Sequence, residues 1–440
     1  MRSRILRPII RRWMSIVVAG AAAAWCGLLA AGAAADPVVA GAAGPVTAAG
    51  SWRHAIEVPG LGMLNAGGLA GVRSVSCASA GSCAAGGSYT DGLGHSQAFV
   101  ASERNGQWGN AIEVPGSGAL NAGGLAGVTG VSCPSAGDCA AGGSYTDGLG
   151  HSQAFVASER NGRWGRAIEV PGSAALNAGG DAAVSSVSCA SAGDCAAGGF
   201  YRDGSRHLQA FVAVERNGRW RRAVEVPGSG ALNVGGNGAV NSVSCARAGD
   251  CAAGGFYRDG SGHFQAFVAV ERGDRWSRAV EVPGLGALNT GGSARALSVS
   301  CAPAGGCAAG GFYRDGSRHV QAFVASERNG RWGKAIELPG SGALNAGGDA
   351  SVSSVSCGSA GNCAAGGAYS DSSLNHQALV ASERNGTWGA AIEVPGSGAL
   401  NAGGLADALS VSCPPAGGCA AGGFYFDGSD HSQGFVDSQT

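Results

Sequence analysis

The sequence predicts an all-β protein, a seven-bladed β-propeller with four antiparallel strands per blade. Three observations predict it: a repeat of fixed length, a strand-and-turn reading of each copy, and complementary ends. The repeat is plain to the eye. "VSCPSAGDCAAGGSYTDGLGH" at 131–151 returns 56 residues later as "VSCASAGDCAAGGFYRDGSRH" at 187–207, and the pattern recurs seven times to the end of the chain. A chain of 440 residues would otherwise suggest two or three domains, but a short fixed period indicates one closed or stacked array.

Each copy reads as four strands. In residues 127–170, "GVTGVSC" is the first strand candidate and "PSAGD" the turn after it. "CAAGGSY" is the second strand, "TDGLGH" the second turn, and "SQAFVASER" the third strand. Asn161-Gly162 is a two-residue hairpin signal that favours a type I′ turn, and "RWGRAIEV" is the fourth strand. The linker "PGSAALNAGGDA" is broken by Pro and Gly.

Pairing outward from Asn105-Gly106 puts Glu103 opposite Trp108, Phe99 opposite Ile112 and Gln97 opposite Val114. Ala98, Val100, Ser102, Gly109, Ala111 and Glu113 fall on the other face, so one face is bulky and the other mostly small. Such sheets interdigitate with their neighbours, as blades around an axis do.

The phase of the repeat predicts closure. "SWRHAIEV" at 51–58 is a fourth strand without its first three, and "HSQGFVDSQT" at 431–440 is a third strand without its fourth. The N-terminal strand is therefore expected to complete the last blade, leaving only short, protected edges. The propeller is assigned to 51–440, with a short linker at 36–50.

Residues 1–35 read as a signal peptide. Arg2, Arg4, Arg7, Arg11 and Arg12 precede an apolar stretch, and "AGAAA" before Asp36 supplies small residues for cleavage. Retention as a membrane anchor is the rival reading, and the export route, general or twin-arginine, stays open. Without those five arginines 24 basic residues face 30 acidic ones, a net charge of −6. A chain of that sign with no basic stripe is a poor nucleic-acid partner. The expectation is a secreted or cell-surface monomer with no stable membrane span after cleavage.

Of fifteen cysteines, Cys26 lies in the signal segment and fourteen form C-x5-C pairs. Even number, regular spacing and export predict the disulfides Cys77–Cys83, Cys133–Cys139, Cys189–Cys195, Cys245–Cys251, Cys301–Cys307, Cys357–Cys363 and Cys413–Cys419. Zinc would need a second pair nearby in each unit.

The unit, "VSC…C-A-x-G…Y…E-x-N-G-x-W…P", resembles a repeat of secreted bacterial VSC-repeat propeller proteins. That resemblance covers nearly all of 49–440 and implies a propeller and export, with no firm activity.

Among recurring residues, the tryptophans Trp52 to Trp388 and tyrosines Tyr89 to Tyr425 suit packing between blades better than sugar stacking. The second turn is more suggestive. It carries Asp91/His95, Asp147/His151, Asp203/His207, Asp259/His263, Asp315/His319 and Asp427/His431, while in "DSSLNH" Asp371 is followed by Asn375 and a displaced His376. With strand one innermost, Glu113 and its counterparts end strand four on the same face. Three readings stay open: each Asp caps its own turn, the turns form repeated ligand pockets, or they hold a metal such as Ca2+. No cofactor is expected otherwise, and no triad, phosphate loop or HExxH stands out.

The functional expectation is a non-enzymatic binding propeller, multivalent for carbohydrate or another cell-surface ligand. The alternative is an extracellular scaffold for protein partners that uses the arginines breaking the symmetry, Arg202, Arg258 and Arg314. A wall-polysaccharide hydrolase or lyase in the central channel comes third.

Overall fold

The computed structural model describes residues 56–415, 418–429 and 431–439. The signal segment 1–35, the linker 36–50 and residues 51–55 of the terminal strand lie outside them.

Seven antiparallel blades surround one axis. In the first, β1 (Ala70–Ser79), β2 (Ser82–Thr90) and β3 (Ser96–Arg104) lie in chain order from the axis outward. The fourth strand is split into β4 (Gln107–Trp108) and β5 (Ile112–Glu113), both paired with β3. Five further blades repeat this plan, and the last has three strands, Ala406–Ser412, Ala420–Phe426 and Ser432–Ser438. The helices among the described residues are single turns such as Leu61–Leu64, and none is long and apolar enough to cross a membrane.

The turns form as their residues dictate. Asn105 and Gly106 both adopt positive φ, 50° and 76°, the mirror-turn geometry that suits the strand twist. Cys77 and Cys83 stand directly opposite each other across β1 and β2, with Cα atoms 3.9 Å apart, and all seven expected disulfides are present.

The register of the fourth strand differs from the expected one. Glu103 does oppose Trp108, but Phe99 opposes Glu113 and Val100 opposes Ile112. One extra residue is accommodated between β4 and β5, where the Gly109 N–H donates to the Ser102 carbonyl. Such a bulge reverses the facing of everything beyond it. Ile112 consequently points out and is half-exposed, whereas Ala111 and Val114 are buried.

The core lies between blades. Ala98, Val100 and Val114 pack against Val128, Val131 and Phe155 of the second blade. This explains the Gly-Gly of the second strand. A Cβ on Gly86 would lie 2.6 Å from Val128 Cγ1, and one on Gly87 would lie 1.9 Å from the Gly71 carbonyl oxygen. The glycines are there for close approach.

Hydrogen bonds join the innermost strands. Ser74 and Ser76 Oγ accept the N–H groups of Val131 and Cys133 at 3.0 and 2.9 Å. The pattern continues to Ser354 and Ser356, which accept from Val411 and Cys413. The serines of the S-V-S-C segment therefore tie each of the first six blades to its successor.

The expected completion of the last blade by the N-terminal strand is not seen. Residues 51–55 are not described, and Ile56 and Glu57 form no ladder with Ser432–Ser438. Among the described residues Val72 and Val75 of the first blade are 43% and 45% exposed, whereas their counterparts Val128 and Val131 are fully buried.

Candidate functional site on the turn face

The second turn and the inter-blade linker share one face of the ring. The Gly67 N–H in the linker donates to the Thr90 carbonyl at the start of the turn. There Asp91 Oδ1 accepts the N–H groups of Leu93 and His95, each at 2.9 Å, and Oδ2 accepts the side-chain amide of Gln97 at 2.9 Å. These bonds, Gln97 foremost, hold the Asp91 carboxyl below the usual carboxylate range. Asp147, Asp203, Asp259, Asp315, Asp371 and Asp427 bond in the same way.

The imidazoles of His95, His151, His207, His263, His319 and His431 are half or more exposed, with Nδ1 between 3.6 and 4.0 Å from the turn aspartate. His95 rests on Gly124 of the next linker, where an added Cβ would lie 2.7 Å from its ring. In the sixth blade Asn375 takes this place over Gly404. His376 instead begins the third strand, with Nε2 3.9 Å from Asp349.

The glutamates turn inward. Tyr89 donates its hydroxyl to Glu113 Oε2 at 3.3 Å, and Glu113 Oε1 accepts the Gly118 N–H at 2.8 Å. Burial, then the nearby Glu113 charge, pushes the Tyr89 hydroxyl up to about 12. Among the described residues no three of the His, Cys, Asp and Glu side chains come together to hold a metal.

Two repeated residues were missed in the sequence. Gln97 connects Asp91 to Asn121, whose Nδ2 donates to Gln97 Oε1 at 2.9 Å and to the Ser96 carbonyl at 3.0 Å. Asn121 Oδ1 in turn accepts the Thr146 N–H of the second blade at 3.4 Å. The recurrence of Gln and Asn in "SQAF" and "ALNAGG" was the available signal, but their meeting requires the fold.

The tryptophans pack between blades. Trp164 Nε1 donates to Ser102 Oγ at 3.0 Å, and Ser102 donates to the buried Glu159 at 2.8 Å. Where Val214 and Val270 replace that serine, Trp276 and Trp332 Nε1 are left buried without a partner among the described residues.

What varies on this face is the residues around the bonded frame. Over the first two blades Leu93 and Leu149 are each 81% exposed, and Met63, Leu69 and Leu125 are also exposed. A bridge from Ser96 to Leu125 brings the second linker against the first blade's turn. Over the third to fifth blades the same surface carries Arg202, Arg258 and Arg314 beside the tyrosines, with Arg206 and Arg318 in the turns. Arg202 Nη2 donates to Asp181 at 3.0 Å. The central channel, about 590 Å³, is lined by the innermost strands of all seven blades, mostly by Ser, Cys and Val, with Arg73 its one charged residue among those described.

Folding also corrects the reading of a chain without a basic stripe. Exposed cations gather on the outer strands of four adjacent blades, at Arg163, Arg219, Arg275 and Arg331 among others.

No family model and no curated protein matches this chain. Among solved structures it is similar to Hadza microbial sialidase Hz136, at 12% identity and a TM-score of 0.40 over 74% of this chain. The chain spans 65% of that sialidase's length. It is also similar to the β-propeller domain of the Trilobed protease from Pyrococcus furiosus, described as having an open velcro topology. The identity is 7% and the TM-score 0.45, over 84% of this chain and 97% of that one. A third likeness, to the polysaccharide lyase PL25 ulvan lyase, has 9% identity and a TM-score of 0.43, over 82% and 92%. What stands is a seven-bladed propeller with repeated cysteine pairs.

Proposed function

We propose that the protein is an exported, non-enzymatic binding propeller that engages a cell-surface ligand through its turn face. One observation carries this reading: the repeated carboxylates are bonded inside the fold, while, the recurring histidines apart, the residues exposed around them differ from blade to blade. Asp91 and Glu113 hold a turn and a linker, which supports a structural role for both. An apolar sector over blades one and two beside a guanidinium sector over blades three to five suits a protein ligand with one orientation. The seven disulfides support an oxidising, extracellular setting, in keeping with the resemblance to secreted VSC-repeat proteins.

Carbohydrate is the second reading, favoured by six imidazoles repeated around the face. Calorimetric titration of the full chain with purified surface proteins and glycans, with and without Ca2+, separates the readings. Protein binding that disappears in R202A/R258A/R314A while any glycan binding persists supports the first. Several equivalent glycan sites lost on replacing the turn Asp and His residues support the second. Hydrolytic turnover of wall polysaccharide would overturn both.

A further inference from the structure

The outer strands carry charge that the repeat does not distribute evenly. Immediately before the tryptophan stand Arg163, Arg219, Arg275 and Arg331 in blades two to five. Two residues after it stand Arg166, Arg222, Arg278 and Lys334, and Arg221 adds a ninth cation. All nine are exposed, and none pairs with a described carboxylate. The segments 163–168, 219–224, 275–280 and 331–336 contain no Asp or Glu. The bulge turns Ile168, Val224, Val280 and Ile336 outward beside them, each half-exposed. Between the fifth and sixth blades Arg331, Lys334 and Ile336 line a groove of about 270 Å³.

Charged residues on an edge strand commonly guard against edge-to-edge pairing. That role would be needed in every blade, yet the first blade has Gln107 and Asn110 at these positions and the sixth has Thr387 and Ala390. The cations instead form one arc over four consecutive blades, more than half of the ring. A flat membrane touches a convex rim along only a blade or two, and a stiff nucleic-acid duplex does the same. A flexible chain follows the arc.

We propose that the rim of blades two to five binds a flexible linear acidic polysaccharide, its repeated anionic groups meeting the paired cations of successive blades and its sugar faces lying on the outward aliphatic residues. The arc lies at the outer ends of the linkers, where Arg166 rests on Gly116 and Arg222 on Gly172, and its occupation does not depend on the ligand of the turns. Neutralising a row of charges on a polyanion releases counterions, so the binding is salt-dependent.

The test measures binding of the full chain to immobilised heparin and polygalacturonate across a salt series, with oligothymidine and anionic phospholipid vesicles as comparators. The rim variant R219Q/R222Q/R275Q is set against R73Q/R247Q/R384Q, which removes equal charge at exposed arginines outside both the rim arc and the turn face. The expected result is binding to at least one glycan, weakened tenfold or more with a shallower salt slope in the rim variant and less than twofold in the control. Equal losses in the two variants would reduce the effect to net charge and overturn the proposal. So would tighter binding to oligothymidine or vesicles than to either glycan, or no glycan binding at low salt. Matching melting curves for the three proteins show that any loss is not unfolding.

Discussion

The hydroxyl of Tyr201 lies 2.9 Å from Glu225 Oε2, and this pair joins the second strand of the third blade to the end of its fourth. The bond makes the glutamate part of the frame under the turn face. It also keeps the tyrosine protonated: burial, followed by Glu225, raises the Tyr201 hydroxyl above its ordinary value of 10.0. A raised acid stabilises the fold fully below its unfolded pKa, and that contribution is lost as pH climbs through the folded one. Absorbance at the phenolate band should therefore rise late, together with unfolding, and E225Q should bring part of it to lower pH. An independent, early titration of these tyrosines would contradict the pairing.

Asp407 predicts the opposite end of the pH scale. Its Oδ1 is buried without a partner among the described residues, and burial pushes the carboxyl up to about 7, with Ser353 opposing. A carboxyl that holds its proton only when folded stabilises below its ordinary value of 3.8 and loses that contribution as pH rises towards 7. D407N should raise the melting temperature above pH 7, by a stability on the order of 1–3 kcal/mol, and change little near pH 4. Equal melting at both pH values would refute the burial argument.

Val214 offers a gain. It replaces the serine that elsewhere bridges the next blade's tryptophan and glutamate, and Trp276 Nε1 is without a partner among the described residues. V214S should supply an acceptor for Trp276 and a donor for Glu271, stabilising by about 1 kcal/mol if the lost methyl contacts do not offset it. Chemical denaturation of V214S and V270S, each beside the parent chain, measures the balance, and a loss in both would sink the idea.

The inner serines predict a loss. Ser132 Oγ accepts the Cys189 N–H at 2.9 Å across the blade boundary. S132A leaves that N–H without its acceptor and should cost about 1–3 kcal/mol. Hydrogen exchange at Cys189 is expected to quicken in the variant, and unchanged protection would count against the inter-blade tie.

Aspartate at the turn separates structure from binding. D203A removes acceptors from His207 N–H, Ser205 N–H and Gln209 together and should cost about 1–2 kcal/mol. D203N keeps the backbone acceptor but not the one for Gln209, and should fall between. If D203A melts like the parent, the turn does not depend on its aspartate.

Sequence alone determined what short-range chemistry encodes. The Asn-Gly turns, the cysteines facing across a hairpin six residues apart, and the Asp that closes its own turn all act within a few positions. The periodicity carried the number of blades, because each copy must bury its faces against another like it. Tertiary structure decided the rest. The bulge that turns Ile112 outward is a property of the closed ladder, in which one extra residue between Trp108 and Ile112 is accommodated by the geometry of the whole blade. The Gly86–Val128 contact, the Ser74–Val131 bond and the Gln97–Asn121 link join residues of adjacent repeats or the linker between them. Their partners are set by how closely blades approach, a packing distance that no local pattern states. The basic rim emerged for the same reason: cations spread thinly along the chain gather into one arc only once the repeats are wound around an axis.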